Sequence, residues 1–180
     1  PAQLASPRRQ KEWGRYLNAS RAATLVLRML PEAGLASYRE LYGAAADQLL
    51  REYQESLSPA VLQQVCRLYG LTEPGLFARE LRADLSFDSG CFMSAWVDYR
   101  SLLEDRSRFA KGPGVLMRLL EKALTCLKQS GSRGLFRHET ERCGKLTKGV
   151  GGQTHELFLE LEKRREGIPF QEDLLAGGGQ

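Results

Sequence analysis

At 180 residues, with 42% apolar and 27% charged residues, the chain is long enough to bury a core and too apolar to be disordered throughout. No apolar run approaches the roughly 18 residues that span a bilayer, and the stretch Ala22 to Leu30 is broken by Thr24 and Arg28. The net charge of +4 divides unevenly: six basic and one acidic residue in 1–30, five and ten in 31–99, twelve and five in 100–150, three and six in 151–180.

Residues 1–12 carry two prolines with Arg8, Arg9 and Lys11 and no apolar periodicity, which predicts a flexible basic arm. Trp13, Tyr16, Leu17, Ala23, Leu27 and Leu30 then recur on one face of a first helix that Pro31 and Gly34 end. Leu35, Tyr38, Leu41, Tyr42, Ala45, Leu49 and Tyr53 step by three or four and predict a core helix.

The segment 58–85 reads as helix, tight turn, helix. Ser58 is placed to cap with Pro59 at the first helical position, and Val61, Leu62, Val65, Leu68 and Tyr69 run to Gly70. Thr72 restarts the pattern ahead of Leu76, Phe77, Leu81 and Leu85. This is the outline of a helix-turn-helix: Cys66 is small where the helices approach, Gly70 suits a left-handed turn, and Leu71 and Leu76 can anchor the corner. Against DNA reading, Glu73, Pro74 and Gly75 occupy the turn from which base-contacting side chains should project, and residues 31–99 are acidic. The segment therefore reads first as a structural corner.

The turn SFDSG offers Asp88 or Ser89 as the cap of a fifth helix bearing Phe92, Ala95, Trp96, Tyr99, Leu102 and Leu103 on one face, a core stripe rather than a base-stacking platform. Pro113 opens a sixth with Val115, Leu116, Leu119, Leu120, Ala123 and Leu127, ended by Gly131. The run RFAKGPGVLMRLLEKAL is similar to strings beside helix-turn-helix domains in replication and mobile-element proteins, which implies a nucleic-acid context. Residues 130–153 hold six glycines among Arg133, Arg137, Arg142, Lys145 and Lys148 and predict a basic, glycine-rich loop or hairpin. Thr154 is expected to cap a last helix with Leu157, Phe158 and Leu161, and a tail follows from 167 to 180. The expected fold is all-α: one domain over 13–166 of about seven helices, with the helix-turn-helix-like corner at 58–85.

Chemistry finds little purchase. Cys66, Cys91, Cys126 and Cys143 are scattered, three of them within predicted helices, as reduced core thiols are. No CxxC or HxxxH nucleates a zinc site, and in GKLTKG Val150 stands where a phosphate-binding loop needs lysine. Cys143 with His138 is the one local thiol and imidazole pair, and carboxylate pairs lie among arginines, so neither enzyme activity nor a cofactor is expected. The expectation is a soluble protein of the cytoplasm, or the nucleus of a eukaryote, without a membrane partner. Its function is expected to be that of a helical accessory or regulatory protein of replication, transcription or mobile elements. It would bind DNA or RNA through Arg8, Arg9, Lys111, Arg118, Lys122, Arg133, Arg137, Arg142, Lys145 and Lys148. The alternative is a protein-interaction or scaffold module, with a protein partner or a second copy of itself, in which acidic and basic segments neutralise one another.

Overall fold

The computed structural model describes residues 19–104, 113–166 and 170. Arg8, Arg9, Lys111, the proposed arm and the start of the first helix with Trp13, Tyr16 and Leu17 lie outside the described residues, as does the tail apart from Phe170. Among those described, eight helices and no strand occur. They are α1 (Ala19–Arg28), α2 (Glu32–Ser56), α3 (Pro59–Leu68), α4 (Glu73–Asp88), α5 (Phe92–Leu103), α6 (Pro113–Gln129), α7 (Arg133–Val150) and α8 (Gly152–Glu166). None is long and apolar enough to cross a membrane. The chain forms two compact units, Pro1–Leu76 and Phe77–Gln180, with the division inside α4.

In the first unit α2 packs on α3. Tyr38 of α2 donates its hydroxyl to the Leu68 carbonyl at 3.1 Å, and Arg39 Nε donates to Leu71 O at 3.3 Å, so α2 side chains pair with a carbonyl at the end of α3 and one in the turn after it. The Tyr38, Tyr42 and Tyr69 rings follow one another at 5.0 and 6.3 Å. Ala46 and Tyr53 are the buried positions of α2, whereas Leu41 is 71% exposed and Tyr42 is also exposed. The expected core face of α2 is thus only partly covered: Leu41, Tyr42 and Ala45 are exposed, Leu35, Tyr38 and Leu49 half-buried and Tyr53 buried.

The turn between α3 and α4 differs from expectation in one respect. Gly70 is not left-handed; the positive φ angles among the described residues are at Leu57, Gly90, Gly131 and Gly151. Thr72 closes the turn instead, its hydroxyl donating to Tyr69 O at 2.8 Å and accepting from the Gly75 N–H at 3.1 Å, as an N-cap does. Ser58 sits before Pro59 with extended backbone but makes no side-chain cap bond.

The second unit is built on α6, which packs against α5, α7 and α8. Leu116, Leu119, Leu120, Leu124 and Leu127 are each at most 1% exposed, and burying each contributes about 2 kcal/mol. α4 and α6 both end in a Schellman motif. Gly90 is left-handed with Cys91 N–H bonded to Ser86 O at 2.8 Å, and Gly131 with Ser132 N–H bonded to Leu127 O at 3.3 Å. Asp88 and Ser89 therefore belong to the end of α4 and do not cap α5; the Ser89 hydroxyl turns back to Leu85 O.

Residues 133–150 are helix α7, not a glycine-rich loop. Gly134, Gly144 and Gly149 each lower helix propensity by about 1 kcal/mol. The helix forms because Glu139, Cys143 and Thr147, spaced by four, bury one face where α7 packs on α6 and α8. α8 begins at Gly152, ahead of the expected cap, and Thr154 is buried within the helix rather than capping it.

Candidate nucleic-acid interface

The expected basic residues fall into three groups. Arg118 and Lys122 lie one turn apart on α6 opposite Glu80 and Asp84, one turn apart on α4. Arg118 Nη2 is 3.0 Å from Glu80 Oε1, and Lys122 Nζ is 3.5 Å from Glu80 Oε1 and 2.7 Å from Asp84 Oδ1. Glu80 is 7% exposed, Tyr99 donates its hydroxyl to Asp84, and the Lys122 ammonium also stands over the Tyr99 ring at 5.6 Å. Burial, then the hydrogen bond and negative charge of Asp84, push the Tyr99 phenol well above its ordinary pKa. Next to this cluster Arg82 clamps Asp98 through two bonds, Nε to Oδ2 at 2.8 Å and Nη2 to Oδ1. The acidic segment thus neutralises part of the basic one within the unit.

Arg142 forms a second group with Glu139. Its Nε and Nη2 both donate to Glu139 Oε1, the first at 2.9 Å, and Glu139 is 1% exposed. Cys143 beside it is fully buried; burial first and the Glu139 charge second push its thiol up to about 12. A thiol so placed stays protonated and is a poor nucleophile. His138 is exposed while Cys143 faces the interior, so α7 separates this pair. Among the described residues no three His, Cys, Asp or Glu side chains converge as a metal site would require.

The third group is the outer face of α7. Arg133, Arg137, Lys145 and Lys148 are all exposed. At 100° per residue they share one half of the helix, opposite Glu139, Cys143 and Thr147. At 1.5 Å per residue they extend over about 22 Å. Glu141 is the one acidic side chain on that half. Among the described residues Arg137, Lys145 and Lys148 have neither an ion pair nor a ring contact, whereas the Arg133 guanidinium lies 5.1 Å from the Phe170 ring centroid.

Sequence reasoning missed the internal partners Glu80, Asp84 and Asp98; it expected Glu139 to pair with arginine in solvent, whereas the pair with Arg142 has its carboxylate buried. Their signal was present: Glu80 and Asp84 match the four-residue spacing of Arg118 and Lys122, and Glu139 stands one turn before Arg142. The apolar stripe of α6 predicts that Lys128, like Arg118 and Lys122, projects away from it; Lys128 is instead buried against Phe136 and Phe170. No protein-family model, curated protein or solved structure matches the chain.

Proposed function

We propose that the chain is a helical accessory or regulatory protein that binds nucleic acid electrostatically through the outer face of α7. The observation that carries this is the difference between cations. Arg118, Lys122 and Arg142 are matched to carboxylates of their own unit, while Arg137, Lys145 and Lys148 stand exposed on one face. Cations gathered on one helix face with a single carboxylate among them suit a phosphate backbone and supply no base-edge readout, so binding is expected without strong sequence preference. The corner between α3 and α4 is not proposed as the reading element: Thr72, which caps α4, and Gly75 in its first turn are buried.

Replacing Arg137, Lys145 and Lys148 together by glutamate tests the reading by fluorescence anisotropy with labelled single- and double-stranded DNA and RNA. Wild type should bind at low salt and weaken as salt rises, and the triple variant should lose at least about tenfold in affinity. Absence of wild-type binding at low salt would refute it.

A second reading rests on exposed apolar side chains of the first unit. Leu25 and Val26 of α1 and Met29 just after it are 43%, 64% and 83% exposed, and Leu41 of α2 is also exposed, a pattern that favours a protein interface. Association through it would survive high salt, because apolar burial drives it.

A further inference from the structure

We propose that the junction of α6 and α7 is a docking notch for an aromatic residue followed by carboxylates, and that the chain's own C-terminal segment fills it through Phe170. Lys128, in the last turn of α6, is 4% exposed, and its Nζ lies 5.3 Å from the centroid of the Phe136 ring and 5.4 Å from that of Phe170. Arg133, the first residue of α7, holds its guanidinium 5.1 Å from the Phe170 centroid. Phe136 meets Phe170 edge to face, with centroids 5.5 Å apart and planes at 84°. One phenyl ring is thus held by two cations and a second ring. The electron-rich face of an aromatic attracts cations and its electropositive edge meets another ring's face, so the notch selects an aromatic over an aliphatic side chain of equal volume.

The sequence after Phe170 completes the ligand. Gln171, Glu172 and Asp173 follow it, and covalent geometry keeps a Cα three residues away within about 11 Å. The negative charge of Glu172 and Asp173 is complementary to the positive charge of Lys128 and Arg133. The tether is short: three residues separate Phe170 from the end of α8 at Glu166. Such a linker holds its ligand at an effective concentration on the order of millimolar. The tail therefore masks the notch against the same sequence supplied in trans. This inference stands apart from nucleic-acid binding, because it uses the junction and its occupant alone.

The test is binding of a fluorescent peptide corresponding to residues 167–176 to the full chain. Wild type should bind it weakly, since the tail competes in cis. Phe170→Ala should bind it at least about tenfold more tightly. Adding Arg133→Glu to Phe170→Ala should abolish the gain, as should alanine at the phenylalanine position of the peptide. The full-chain variant Glu172→Lys/Asp173→Lys keeps Phe170 and should also bind the wild-type peptide better than the parent, an arm that holds even if Phe170→Ala perturbs folding. Equal binding by all of these chains, or equal binding of the alanine peptide, would overturn the proposal.

Discussion

A methyl group added at position 75 would sit 1.8 Å from the carbonyl oxygen of Tyr69. The backbone of α4 approaches the preceding turn so closely that only hydrogen fits, and the Thr72 cap fixes that approach through the Gly75 N–H. Gly75→Ala should therefore destabilise the protein by about 3 kcal/mol, read as a lower urea midpoint, because backbone has to move. The residue that weakens the case for base reading in the sequence is the one the turn requires.

Two buried acids set the alkaline behaviour. Tyr99 is 1% exposed and Cys143 fully buried, and the fold raises both pKa values, Cys143 from 9.0 to about 12. Once unfolded, each ionises at its ordinary value, so the unfolded state releases protons first as pH rises. The Cys143 contribution is complete below about pH 9 and declines from there to about pH 12, whereas that of Tyr99 is complete below about pH 10 and declines above it, each by up to about 1.4 kcal/mol per pH unit. Urea midpoints at pH 8, 9.5 and 10.5 should fall, and should fall less steeply in Cys143→Ala/Tyr99→Phe. An identical slope in that variant would contradict the assignment.

At the scale of elements, α3, α5 and α6 were legible because their apolar residues recur at helical spacing near strong signals: Pro59 at the start of α3, Pro113 at the start of α6, Gly131 after it. α7 was not legible, because its glycines outweigh a weak pattern whose buried face carries glutamate, cysteine and threonine rather than leucine. Tertiary packing supplies what propensity lacks. Gly134 has open space around it, so Gly134→Ala should raise stability by about 0.5 to 1 kcal/mol through propensity alone. The α2 face misled in the opposite sense: its clean periodicity states that one face is apolar, not that anything covers it. Leu41→Lys should accordingly change stability by less than about 0.5 kcal/mol, while Leu120→Ala in α6, fully buried, should cost about 3 kcal/mol. Chemical denaturation of the two side by side tests the contrast.

For the molecule as a whole, the alternation of basic and acidic segments was legible in composition, but its resolution was not. It depends on which charges the fold brings together: Glu80 and Asp84 meet Arg118 and Lys122, Asp98 meets Arg82, and Glu139 meets Arg142. Among the described cations of the second unit, Arg137, Lys145 and Lys148 of α7 stay exposed on one helix face, and no sequence count could separate them from their neighbours. The most direct measurement is the dependence of nucleic-acid affinity on salt concentration for wild type, for Arg137→Ala/Lys145→Ala/Lys148→Ala, and for Arg118→Ala/Lys122→Ala. Each phosphate that the protein ceases to neutralise should reduce the logarithmic slope by about 0.9 on duplex DNA or about 0.7 on single strands. The α7 variant should therefore lose about two to three units of slope while the α6 variant keeps the wild-type value. A wild-type slope in the α7 variant, or a reduced slope in the α6 variant instead, would contradict binding through α7.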